Sequence, residues 1–77
     1  MLHETLSPRQ ATPQAYVWDA LTARVRAEFI EMPGLRLTPR QGARLWHVDL
    51  ATSAAVLARL NAERFLTRTA AGAYVRP

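Results

Sequence analysis

Two Thr-Pro pairs and one change of hydrophobic period constrain the fold of this chain more than any other feature. Thr12-Pro13 and Thr38-Pro39 both read as helix starts. A threonine cap can accept from the first free N–H groups, and proline at the first helical position has no N–H to leave unpaired. After the first pair, Trp18, Leu21, Val25, Phe29 and Met32 recur at spacings of three and four until Pro33-Gly34. This predicts an amphipathic helix over 13–32 with one apolar stripe. After the second pair, Gln41 can return a hydrogen bond to the cap, which predicts a helix over 39–47. Gly42 inside it costs about 1 kcal/mol relative to alanine, so a large ring, Trp46 or Trp18, is expected to occupy the space beside it.

Asp49 reads as the next cap. Ser53, Val56, Leu57 and Leu60 keep a helical period up to Glu63, which predicts a third helix over 50–63. The period then shortens to that of strands. Phe65–Thr69 and Ala73–Arg76 flank Ala70-Ala71-Gly72 and predict a hairpin over 65–76. Leu35-Arg36-Leu37 is too short to stand alone and is expected to join that hairpin as an edge strand. The expected core is Leu21, Val25, Phe29, Trp46, Val56, Leu60 and Leu66. Trp18 and Phe65 are expected to join it from the same apolar stripes. Residues 1–11 lack periodicity and are expected to form a flexible arm ahead of a single domain over 12–77.

Size and composition limit the chemistry. The chain has 77 residues, and a domain of this size buries only about 60% of the surface its unfolded form exposes. An enclosed cofactor cleft is not expected. With no cysteine, thiolate metal sites, disulfides and cysteine nucleophiles are excluded. His47 and Asp49 are near each other, but two ligands do not make a metal site, and neither Ser7 nor Ser53 has an evident base. The expectation is a protein that is not an enzyme and holds no cofactor or metal. No segment reaches the ~20 apolar residues of a membrane span, and the N-terminus has no basic-then-apolar signal pattern. A cytoplasmic location is therefore expected. All ten basic residues are arginine and alanine is abundant, the usage of a GC-rich bacterial genome.

Charge is unevenly placed. Residues 1–33 carry three arginines against four carboxylates, net −1. Residues 34–77 carry seven arginines against two carboxylates, net +5. A basic half points to a polyanionic partner.

The order helix, short strand, helix, tight turn, helix, hairpin resembles the winged helix-turn-helix superfamily, of the bacterial transcription-regulator type. The stretch Gln41-Gly42-Ala43-Arg44-Leu45-Trp46-His47-Val48-Asp49 is similar to the family's first helix and turn. Ala43 stands at the small residue that lets the helices approach, and Val48 at the buried turn position. Phe65-Leu66-Thr67-Arg68 and Gly72-Ala73-Tyr74-Val75-Arg76 are similar to the two strands of the wing. His47 and Arg64 stand where the family usually has glycines, and Ser53 where it has an aliphatic core residue. The pattern Pro33-Gly34-Leu35-x-Leu37-Thr38 with Leu66-x-Arg68-Thr69-x-x-Gly72-x-Tyr74 also resembles short bacterial proteins of that fold.

The resemblance implies a DNA-binding protein in transcriptional control, with the third helix in the major groove. The face turned to bases would carry Leu50, Ala51, Thr52 and Ala55, with Arg59 one turn further. That face is poor in base readers, so phosphate contacts are expected to dominate: Arg40 and Arg44 on the second helix, Arg68 and Arg76 on the wing. Tyr74 would stack on or hydrogen-bond to the nucleic acid, or pack against the third helix. Two alternatives stand beside this. The small apolar face Ala51, Ala54, Ala55, Ala58 and Ala62 also fits a protein-interaction module of the same fold. The first helix could pair with its copy in a homodimer, which Val17, Phe29 or Ile30 exposed outside the main stripe would favour. Arginines 40, 44, 59, 68 and 76 on one surface would favour DNA, and scattered ones a protein partner.

Overall fold

The computed structural model describes residues 13–77; the arm over 1–11 and the Thr12 cap lie outside the described residues, as does His3. The chain is mainly helical with a small antiparallel sheet. Its elements are α1 (Pro13–Glu31), β1 (Arg36–Leu37), α2 (Pro39–Trp46), α3 (Leu50–Ala62), β2 (Thr67–Arg68) and β3 (Tyr74–Val75). The sheet order is β1-β3-β2, so Leu35–Leu37 does become an edge strand of the hairpin. Arg36 pairs with Val75 and Leu37 with Tyr74, while Thr67 pairs with Val75 and Arg68 with Tyr74.

Both ends of α2 and the end of α3 have a local cause. At α2 the Thr38 hydroxyl accepts from the Gln41 N–H at 3.2 Å, and the Gln41 side chain accepts from the Thr38 N–H at 2.9 Å. This reciprocal pair satisfies two otherwise free donors. α2 stops at Trp46 because His47 turns left-handed, φ 57°, and Val48 N–H returns to the Ala43 carbonyl at 3.1 Å. α3 stops the same way around Arg64, φ 66°. Arg64 N–H donates to Asn61 and Phe65 N–H to Leu60, both at 2.9 Å, the paired bonds of a Schellman motif. The two positions at which the sequence lacks the expected glycines are therefore left-handed without glycine. Arg64→Gly removes the Cβ clash of that conformation and is expected to raise stability by up to about 1 kcal/mol in urea denaturation.

The hairpin strands are shorter than the sequence predicts. Phe65 and Leu66 spend their N–H groups on the Leu60 carbonyl to end α3, and pairing begins only at Thr67. At the other end, Gly72 (φ 89°) closes the turn, with its N–H on the Thr69 carbonyl and Ala73 N–H on the Thr69 hydroxyl.

The core is Val25, Phe29, Leu37, Trp46, Val56, Leu57, Leu60, Leu66 and Tyr74. Leu21, Trp18 and Phe65, expected inside, are half-buried and pack against it from the edge. Met32, expected on the α1 stripe, lies beyond the helix end and is 48% exposed. Ser53, at a position the resemblance makes aliphatic, is fully buried. It is tolerated because its hydroxyl donates to the Pro39 carbonyl at 2.7 Å.

Gly42 is the contact point between α2 and α3. A Cβ there would stand 2.5 Å from Cζ3 of Trp46 and 2.7 Å from Oγ of Ser53. Of the two rings expected beside it, Trp46 is the one present. That ring cannot move aside freely, because its Nε1 donates to Oε1 of Glu28 on α1 at 2.9 Å. Gly42→Ala gains about 1 kcal/mol of helix propensity. Overpacking of this order costs about 1–3 kcal/mol, so the variant is expected to have a lower denaturation midpoint than the wild type.

Candidate nucleic-acid interface

The outward face of α3 holds Ala51, Ala55, Ala58 and Ala62, all exposed, with half-exposed Leu50 at its start. Ala54 is half-buried on its flank. Thr52 lies on the flank toward α1, and its hydroxyl donates to the carboxylate of Asp49. That bond holds the Asp49 carboxyl below its usual value. Asp49 is the residue before α3, but its side chain makes no capping bond to the helix. The face thus offers methyl groups and no free hydrogen-bonding side chain for a base edge.

The five arginines singled out from the sequence do not all stand alike. Arg59 turns to α1: it pairs with Glu63 at 3.2 Å and with Asp19 at 3.7 Å, and lies 5.8 Å from the Trp18 ring centre. Arg76 stacks 3.9 Å over the Phe65 ring and donates to the Phe65 carbonyl. Arg26 of α1 covers the same ring at 4.9 Å and pairs with Glu63 at 2.9 Å. Bonds first from Arg26 and then from Arg59 hold the Glu63 carboxyl below its usual range. Arg59 and Arg76 therefore bind the ends of α3 and the sheet to their neighbours. Tyr74, for which stacking, a phosphate bond and packing were the alternatives, is 7% exposed and belongs to the core.

Arg40, Arg44 and Arg68 remain exposed, with no carboxylate in ion-pair range among the described residues. Arg40 and Arg44 are one turn apart on α2. The register puts Arg68 on the sheet face that carries Leu37 and Tyr74, the face turned to the helices, and its edge position keeps it in solvent. Arg36 and Arg64, outside those five, are free in the same sense. Arg36 is on the opposite sheet face, with Thr67 and Val75. The signal for the Arg59 pairing is present in the sequence as the i,i+4 spacing to Glu63.

An open groove of about 640 Å³ runs between α1 and the α2–α3 turn, lined by Val17, Trp18, Leu21, His47, Val48, Asp49 and Thr52. Among the described residues no three histidine or carboxylate side chains come together in a metal-binding arrangement. Among them, too, no helix is long and apolar enough to cross a membrane.

Comparison of the chain with protein-family models, with curated proteins and with solved structures finds no match.

Proposed function

We propose that this chain is a winged helix protein that binds duplex DNA without catalysis and acts in transcriptional control. In this reading α2 and β2 hold the phosphate backbone through Arg40, Arg44 and Arg68. The observation that carries the reading is how charge is partitioned. Asp19, Glu28 and Glu63 are neutralised by Arg24, Arg26 and Arg59 along α1 and the end of α3. The arginines of α2 and the wing strand β2 have no such partners among the described residues. Exposed arginines with no ion-pair partner among the described residues, together with a helix face of methyl groups, suit contact with phosphates and little reading of bases.

Phosphate contacts release counterions, so log affinity falls linearly with log salt. Three engaged arginines give a slope of about −2.7 per chain, a loss of about 40-fold between 50 and 200 mM salt. Fluorescence anisotropy with a random-sequence duplex measures this, against a basic protein of similar net charge. Absence of binding at low salt overturns the reading.

The alanine face of α3 favours a second reading, a protein-interaction module in which Ala51, Ala55, Ala58 and Ala62 pack closely against a partner helix. It takes over if the duplex does not bind.

A further inference from the structure

The outward face of α1, opposite the core stripe, carries a second periodic pattern. Ala20, Ala23, Ala27 and Ile30 are all exposed, with Ile30 at 58%. Their spacing of three, four and three is a heptad repeat with Ala20 and Ala27 at a, Ala23 and Ile30 at d. Phe29 is fully buried and takes no part.

The flanks of this seam are charged in a pattern that specifies a partner. Asp19 and Arg26 fall at g, Arg24 and Glu31 at e. When two such helices lie parallel and in register, each g residue meets the e residue five positions on in the other copy. Asp19 then meets Arg24 of the second copy, and Arg26 meets Glu31 of the second copy. Both pairs are of opposite sign, on both sides of the seam. An antiparallel pairing with Ala20 against Ile30 and Ala23 against Ala27 brings Arg24 near Arg24 and Arg26 near Arg26. The side chains of Asp19 and Arg24 keep 72% and 54% of their exposure despite their contacts within the chain, so they can reach across. Arg26, 37% exposed, is held by Glu63 and the Phe65 ring. It meets Glu31 of the second copy only by giving up Glu63, so the Asp19–Arg24 pair carries the selection.

We propose that two copies of this chain pair through α1 in a parallel, two-fold dimer, with Ala20, Ala23, Ala27 and Ile30 as the seam. The charge pattern selects the second copy over any other occupant, because the g flank of one copy is complementary to the e flank of the other. The two-fold axis closes the assembly at two chains. An alanine seam brings the helices close but buries little area, so the dimer is a weak one that dissociates on dilution. It leaves α2, α3 and the wing of both copies open.

The test does not involve DNA. Sedimentation equilibrium between about 1 and 500 µM is expected to show a mass rising from one chain to two. Ala27→Glu, at an exposed helical position, is expected to stay monomeric throughout while its thermal unfolding by circular dichroism matches the wild type. The chain has no cysteine, so Ala27→Cys reports one contact. Across the parallel seam it faces itself and is expected to form a disulfide dimer at least tenfold faster than Ala62→Cys on α3. Three results overturn the proposal: a single-chain mass at the highest concentration, dimerisation of Ala27→Glu, or equal oxidation of the two cysteine variants. Cross-linking of Ala20→Cys to Ile30→Cys in a mixture, with none in Ala27→Cys, overturns the parallel arrangement.

Discussion

Reversal of Arg40, Arg44 and Arg68 to glutamate together is expected to abolish duplex binding at 50 mM salt. Each change removes a phosphate contact and puts a like charge against the backbone, and Arg68 adds independently to the neighbouring pair Arg40 and Arg44. The folded state is expected to be unaffected, since all three side chains are exposed and none forms an ion pair with another described residue. Any residual binding should have a flat dependence on salt. Arg36→Glu, on the opposite face of the sheet, makes one of these charge changes and serves as the control for Arg68→Glu alone, with the smaller loss expected. Thr52→Ala is expected to leave DNA affinity unchanged, because its hydroxyl is already donated to Asp49. A triple variant that binds as the wild type does would remove α2 and the wing from the interface.

Phe29→Ala is expected to cost about 3–5 kcal/mol, the range for loss of a fully buried aromatic ring. Phe29 is fully buried and sits where α1 meets the other core residues. A domain of this size has a total stability of only about 5 kcal/mol, so the variant should be largely unfolded at room temperature. Urea denaturation followed by tryptophan fluorescence reads this, since Trp18 and Trp46 both pack on the same core. Ile30→Ala, at the next position but 58% exposed, is expected to shift stability by no more than about 0.5 kcal/mol. Equal losses at the two positions would mean that α1 buries a different face.

The elements themselves were legible because their signals are local. The Thr38 capping box lies within four residues, and it forms as its sequence predicts. The stripe through Val25 and Phe29 and that through Val56 and Leu60 reach the core because 3.6-residue periodicity leaves one face to bury. Gly42 signalled close packing because a helix-weakening residue in a short helix needs a tertiary reason. The residues that depart from expectation lie where two local rules compete. Phe65 and Leu66 have strand propensity, yet their N–H groups are taken by the end of α3. Met32 continues the apolar period of α1, but the turn before Pro33-Gly34 has already begun.

The sequence by itself determined the order of helices and strands and most of the core, since each depends on residues within a turn or two of one another. Which arginines are free is a different kind of fact. Arg76, Arg40 and Arg68 look alike in a string of letters, and Arg59 is set apart only by its i,i+4 spacing to Glu63. Only tertiary structure sets Arg59 against Asp19 across two helices, and Arg26 against Glu63 thirty-seven positions away. It also places Arg76 on the ring of Phe65 and turns Tyr74 into the core. A charge is neutralised by whatever stands within a few ångströms of it, and in a folded chain those neighbours come from distant parts of the sequence.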